Sequence, residues 1–201
     1  MSSDIRIRKG LDIQLKGKAD AITKPAPLAA VYGIKPAEFH RVIPKLIARE
    51  GATLKAGDAV FYDKRDERVL FPSPVSGTIT EIIRGERRKI LEIRITPDAT
   101  QSFQDFGKKE VNSLSPEQIK EHLLESGAWP LIKQRPYDVI ASPDSQPKEI
   151  FISACKTNPL APDYDYLLKG KEKELQVALT ALSKLTTGKV HVSVFKDSSL
   201  S

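Results

Sequence analysis

A chain of 201 residues, 40% hydrophobic and 29% charged, is long enough to bury a proper core in one large or two small domains, which excludes a disordered protein. The formal net charge of +6 falls wholly in residues 1–100, where 19 Lys and Arg face 13 Asp and Glu. Without interleaved stacking aromatics this predicts a basic, solvated face and excludes nucleic acid as a partner. One cysteine, Cys155, excludes a disulfide framework and a multi-cysteine metal or iron–sulfur site, and every apolar run is broken well short of the roughly 18–20 residues a membrane-crossing helix needs.

The start of the chain alternates charge with isoleucine, as in Ile5-Arg6-Ile7. That pattern reads as a strand, lacks the apolar stretch of a secretory signal and gives an expected cytoplasmic address. Short β-branched runs then alternate with turn signals to about residue 97, as in Ala59-Val60-Phe61-Tyr62, Gly77–Ile82 and Ile90–Ile95. This is the grammar of an all-β domain, expected over residues 1–97. Between the last two runs, Arg84-Gly85-Glu86-Arg87-Arg88-Lys89 reads as a strongly basic hairpin tip. Pro97-Asp98 closes the region, and the polar stretch 98–113 reads as a linker.

From residue 114 the apolar period changes. Ser115, Pro116 and Gln118 form a capping box with proline at the first helical position, with Leu114 and Ile119 placed as a hydrophobic staple and Gly127 placed to end the helix. Glu149–Ala154 reads as a strand. Leu175, Ala178, Leu179, Leu182 and Leu185 mark a helix over about 171–186, and Val190–Phe195 reads as a second strand. The three elements make one β-α-β unit with parallel strands. A parallel sheet ordinarily has more strands and both faces covered, so the domain expected over 114–201 reads as incomplete, and the fold class as α+β overall.

Glu50-Gly51-Ala52-Thr53-Leu54-Lys55-Ala56-Gly57-Asp58-Ala59-Val60, followed by Phe71-Pro72-Ser73-Pro74-Val75-Ser76-Gly77-Thr78-Ile79, resembles the lipoyl/biotinyl barrel-sandwich hybrid. Glycines there make the tight turns between short strands. Lys64 stands where such a domain presents its modified lysine. The flanking Asp63-Lys64-Arg65-Asp66-Glu67-Arg68 lacks the residues that accompany a biotinyl-lysine, so an unmodified turn is expected.

A longer ordered set covers essentially the whole chain. It comprises Leu11-Asp12 after Lys9-Gly10, Pro72–Gly77, Arg84–Arg88, Glu125–Trp129, Arg135-Pro136-Tyr137, Thr157-Asn158-Pro159-Leu160-Ala161 and Leu185–Val192. With these in order, the chain resembles the N-terminal portion of the A subunit of the sodium-translocating NADH:quinone oxidoreductases, Nqr. The resemblance implies a peripheral subunit on the cytoplasmic side of the inner membrane, in a complex that moves electrons from NADH to quinone and pumps Na+. Its implied partners are the other Nqr subunits, especially the membrane-embedded quinone-side subunit, and ubiquinone or menaquinone.

Residues 114–201 are also distantly similar to the flavin- and NADH-binding subunit of complex I and to the C subunit of Rnf complexes. Those relatives hold flavin with a glycine-rich loop and an acidic loop. Here Gly127 is followed by Ala128, Trp129 and Pro130, and Ala154 by Cys155-Lys156-Thr157-Asn158-Pro159, so no cofactor is expected on this chain; NADH, flavins and quinone are used by the whole complex. Trp129, Arg135 and Tyr137 combine an aromatic face with donors suited to a planar dicarbonyl ring. They are the candidate quinone or partner contacts.

Other motifs carry little. Thr187-Gly188-Lys189 precedes a strand instead of following one, so it reads as a helix stop rather than a phosphate loop. His40, His122 and His191 lie in separate elements without acidic neighbours at ligand spacing, so no metal and no catalytic residue is assigned. Two further functions stay open: a pure assembly module of an Rnf- or Nqr-type complex without a ligand of its own, and a swinging-arm carrier domain, against which the surroundings of Lys64 speak.

Overall fold

The computed structural model describes residues 13, 15–17 and 19–200; the strand expected at Ile5–Ile7 lies outside them. The chain forms two compact units, one of residues 26–147 and one joining the residues up to Pro25 with those from Lys148 onward.

The first unit is a β-sandwich with a helix added to it. Its strands are β1 (Tyr32–Ile34), β2 (Pro44–Leu46), β3 (Thr53–Leu54), β4 (Ala59–Asp63), β5 (Asp66–Pro72), β6 (Gly77–Arg84) and β7 (Ile90–Pro97). They form a four-stranded sheet in the order β1-β7-β6-β3 and a three-stranded sheet in the order β2-β4-β5, with antiparallel pairing throughout. Alternation along the strands sends Phe61, Val69, Phe71, Ile79, Ile93 and Ile95 into the shared core, and Val60, at the register shift between Ala59 and Phe61, is fully buried beside them. Phe61 and Phe71 stack at 4.4 Å between centroids, and Phe39 meets Phe71 edge-on at 4.6 Å.

The charged run Asp66-Glu67-Arg68 does not read as strand, yet β5 begins there. Residues two apart lie on one side of a strand, so Arg68 and Asp66 pair at 2.7 Å along the surface while Val69 and Phe71 go inward. The turn before it, Lys64-Arg65, is held by the buried Asp63. Its carboxylate accepts from the backbone N–H of Ile43 and of Arg65, and from Arg65 Nη2 at 2.7 Å. Burial pushes the Asp63 carboxyl up, but these hydrogen bonds outweigh it and hold it below the usual carboxylate range.

The stretch after β7 is fastened along the sandwich. Gln101 donates to the carbonyls of Ser76 and Asp98 and accepts from Ser76 N–H at 2.8 Å, and Ala56 bridges to Phe103. Helix α1 (Pro116–Glu125) follows, with the expected capping box: Ser115 Oγ accepts from Gln118 N–H and Gln118 Oε1 from Ser115 N–H. Ile119 and Leu124 bury its inner face. It packs on β5, and Gly127 just beyond it lies against the ring of Pro72.

The second unit carries the β-α-β element, with β10 (Ile150–Ser153), α3 (Glu172–Ser183) and β11 (Val190–Ser193). The two strands pair in parallel, Ile150 with Val190 through Ser153 with Ser193. A short helix, α2 (Tyr164–Leu168), precedes α3 and has no clear periodicity in the sequence. The expected apolar stripe of α3 is only half-buried at Leu175, Leu179, Leu182 and Leu185, with Ala178 exposed, because two strands offer little surface to cover it. The fold is thus a barrel-sandwich hybrid followed by an α/β unit with parallel strands.

Candidate functional site

The candidate residues lie in the segment from the end of α1 to Ala141. Gly127 takes a left-handed φ of +68°, which lets the helix close with paired reverse bonds: Gly127 N–H to the Leu124 carbonyl and Ala128 N–H to the Leu123 carbonyl at 3.0 Å. Ile132 N–H then bonds the Trp129 carbonyl at 2.9 Å, and Pro130 has no N–H to give. The amides of Gly127, Ala128, Leu131 and Ile132 thus bond carbonyls of the chain itself.

Trp129 is 5% exposed, and its indole N–H donates to the Ala141 carbonyl at 2.8 Å. Beyond it, β8 (Lys133–Gln134) and β9 (Val139–Ile140) form a small hairpin whose tip is residues 135–138. Arg135 pairs with Asp138 across this tip at 3.3 Å, and His40 Nδ1 lies 3.4 Å from the Asp138 carbonyl, which ties the tip to the segment after β1. Tyr137 is 68% exposed and the Arg135 side chain 76%.

Arg135 and Tyr137 therefore stand together on one projection, while Trp129 serves as the rivet beneath it and turns no ring face outward. Sequence reasoning missed Leu131, which is 81% exposed beside the hairpin, and the supporting His40 and Asp138. Nothing in Pro130-Leu131-Ile132 marks which of its two aliphatic residues faces solvent. An exposed phenol, guanidinium and isobutyl group make a surface suited to contact with another protein. A cleft of about 480 Å³ lies in the other compact unit, lined by Asp165, Tyr166, Lys169 and Leu200 among others.

The remaining sequence candidates are dispersed. Lys64 is exposed at the β4–β5 tip, with its backbone N–H on the Ile43 carbonyl. Cys155 is half-buried just after β10. His191 bonds Glu149 at 2.7 Å and stacks on Phe151, whereas the buried Nδ1 of His122 has no hydrogen-bond partner. Gly188 lies against the Lys148 carbonyl, where a side chain has no room.

Comparison with known proteins gives a consistent result. The family described as the NqrA N-terminal barrel-sandwich hybrid domain matches residues 5–98, and that described as the NqrA second alpha/beta domain matches residues 114–201. The A subunit of the Na(+)-translocating NADH-quinone reductase of Yersinia pseudotuberculosis is 37% identical over 190 residues, covering 94% of this chain and 42% of that protein. Its counterpart in Haemophilus influenzae is 35% identical over 199 residues, covering 98% of this chain and 44% of that protein. The chain spans less than half the length of these curated relatives. Among the described residues, no helix is long and apolar enough to cross a membrane.

Proposed function

We propose, from the premise that this chain belongs to the NqrA family, that it is a peripheral, cytoplasmic-side part of a Na+-translocating NADH:quinone oxidoreductase and docks a partner subunit through the β8–β9 tip. The observation that carries the docking reading is the contrast within one short segment. Trp129 is buried and hydrogen-bonded, fixing the hairpin, while Leu131 beside it and Arg135 and Tyr137 at its tip are exposed to solvent. Ordering such groups in advance lowers the entropy lost on association, and aromatic and arginine side chains are the commonest anchors of interfaces. The membrane-embedded, quinone-side subunit is the proposed partner.

A second reading has Arg135 and Tyr137 touching ubiquinone or menaquinone itself. The phenol and guanidinium supply the donors that two quinone carbonyls need, and the partner would have to supply the walls of the pocket. Neither reading uses flavin or NADH on this chain, in keeping with the internally bonded amides after α1.

Replacing Arg135 and Tyr137 singly by Ala in the assembled complex separates the two. Docking predicts less of this chain in purified complex, with an unchanged quinone KM in the fraction that assembles. Quinone contact predicts normal content with a raised KM and altered inhibitor sensitivity. Normal content together with normal kinetics eliminates both roles for the tip.

A further inference from the structure

The tip of the β6–β7 hairpin carries four basic residues and one acidic one between Arg84 and Lys89, a net charge of +3 on six residues. Among the described residues, none of the four makes an ion pair. Arg84 donates only to the carbonyl of Arg88 at 3.3 Å. Three arginines elsewhere on the sandwich are spent differently. Arg65 pairs with Asp63, Arg68 with Asp66 and Asp144, and Arg94 with Glu81 and Glu92. Arg41 and Arg49 have no ion pair among the described residues either, but they stand singly, whereas the tip gathers four such cations within six residues.

The backbone there is also unusual. Arg87 and Arg88 take φ values of +53° and +60° in succession, a left-handed conformation that costs a residue with a Cβ and that Gly or Asn would hold with less strain. The turn presents two exposed, long cationic side chains in succession. Beside them Leu91 lies over Gly85 and is still 42% exposed, so an aliphatic group flanks the charges.

We propose that this tip is a contact for the anionic phospholipid headgroups of a membrane surface. Phosphate groups accept from guanidinium in paired, planar geometry, and basic residues next to a negatively charged leaflet each add to binding within a Debye length of it. Leu91 gives the tip a group that enters the headgroup boundary. A lipid surface has no fixed shape and conforms to a convex tip, whereas an acidic protein partner needs carboxylates in register with it. The inference rests on the reading of the protein as a peripheral subunit of a membrane complex.

The test is sedimentation of the full chain with vesicles of phosphatidylcholine alone and of phosphatidylcholine with 30% phosphatidylglycerol. Binding is expected to the second only and to weaken as salt rises. The paired substitution Arg87→Asn and Arg88→Asn removes two charges while suiting the left-handed backbone, so the fold is retained and thermal stability is unchanged or higher. Vesicle partitioning is expected to fall about 30-fold, from about fivefold per basic residue. Arg87→Lys with Arg88→Lys is expected to keep most of the binding. Removing two exposed charges elsewhere on the same unit, by Lys108→Gln and Lys109→Gln, is expected to leave most of it too. Absence of binding to the anionic vesicles, equal losses from the two charge-removing pairs, or binding to polyglutamate but not to vesicles overturns the proposal. The content of this chain in the assembled complex, measured on the same variants, reports separately on the reading beneath it.

Discussion

Replacing Gly127 by Ala tests whether α1 is part of the sandwich. The residue has φ +68°, and a Cβ built on it falls 2.6 Å from Cδ and 2.7 Å from Cγ of Pro72. Two costs follow: about 1–2 kcal/mol for a left-handed non-glycine residue, and about 1–3 kcal/mol for overpacking against a ring that cannot rotate away. A total near 3 kcal/mol lowers the Tm by about 6–12 °C for a chain of this size. Gly51 supplies the control, since it has φ +82° and nothing within 4 Å of a built Cβ, so Gly51→Ala incurs only the first cost. Pro72→Ala removes the two ring atoms responsible for the clash, and in a double-mutant cycle it is expected to restore about 1–3 kcal/mol to Gly127→Ala. Urea and thermal unfolding of the four variants give the values. Equal losses from Gly127→Ala and Gly51→Ala, with no coupling to Pro72→Ala, would refute the contact between the end of α1 and β5.

Trp129→Ala is expected to destabilise by about 3–5 kcal/mol, and Trp129→Phe by about 1–3 kcal/mol because the Ala141 carbonyl loses its donor; near-neutral values in urea unfolding contradict a buried rivet. The folded carboxyl of Asp63 titrates below its unfolded value, so the stability it contributes is present above about pH 4 and is lost as pH falls through the folded pKa. Asp63→Asn should therefore be less stable at neutral pH, with the gap to the unmodified protein closing in acid; parallel curves from pH 7 down to about 2 rule this out. Lys64 is expected to carry neither a lipoyl nor a biotinyl group when the protein is made in a host with active ligases, and an intact mass raised by either group ends that expectation. Isothermal calorimetry with FMN and with NADH is expected to show no saturable binding, and micromolar affinity for either contradicts the reading of the turn after α1.

Local signals with a definite stereochemical meaning were legible in the sequence. Ser115, Pro116, Gln118 and Gly127 delimit α1 as expected, and the runs around Gly85 make the β6–β7 hairpin. The β-α-β unit appears where apolar period and glycine punctuation put it. Elements held by long-range pairing were not legible. The charges of Asp66, Glu67 and Arg68 mask β5, whose strand character depends on β4 beside it. Trp129 read as an available aromatic face because nothing in its neighbours announces that the Ala141 carbonyl will take its N–H. Exposure and pairing are properties of the folded surface, so the solvent-facing Leu131 and the lack of ion pairs at the basic β6–β7 tip could be found only there.

The packing of α1 on β5 bears on how chains of this family can be recombined. Leu70 and Pro72 share the face of β5 opposite to Val69 and Phe71, and α1 with the turn after it lies on that strand. A chimera joined between residues 98 and 114, where the two sequence families meet, pairs one parent's strand with another parent's helix. It inherits a mismatched seam at Pro72 and Gly127. Joined near residue 147, where the first compact unit ends, the same exchange keeps strand and helix from a single parent.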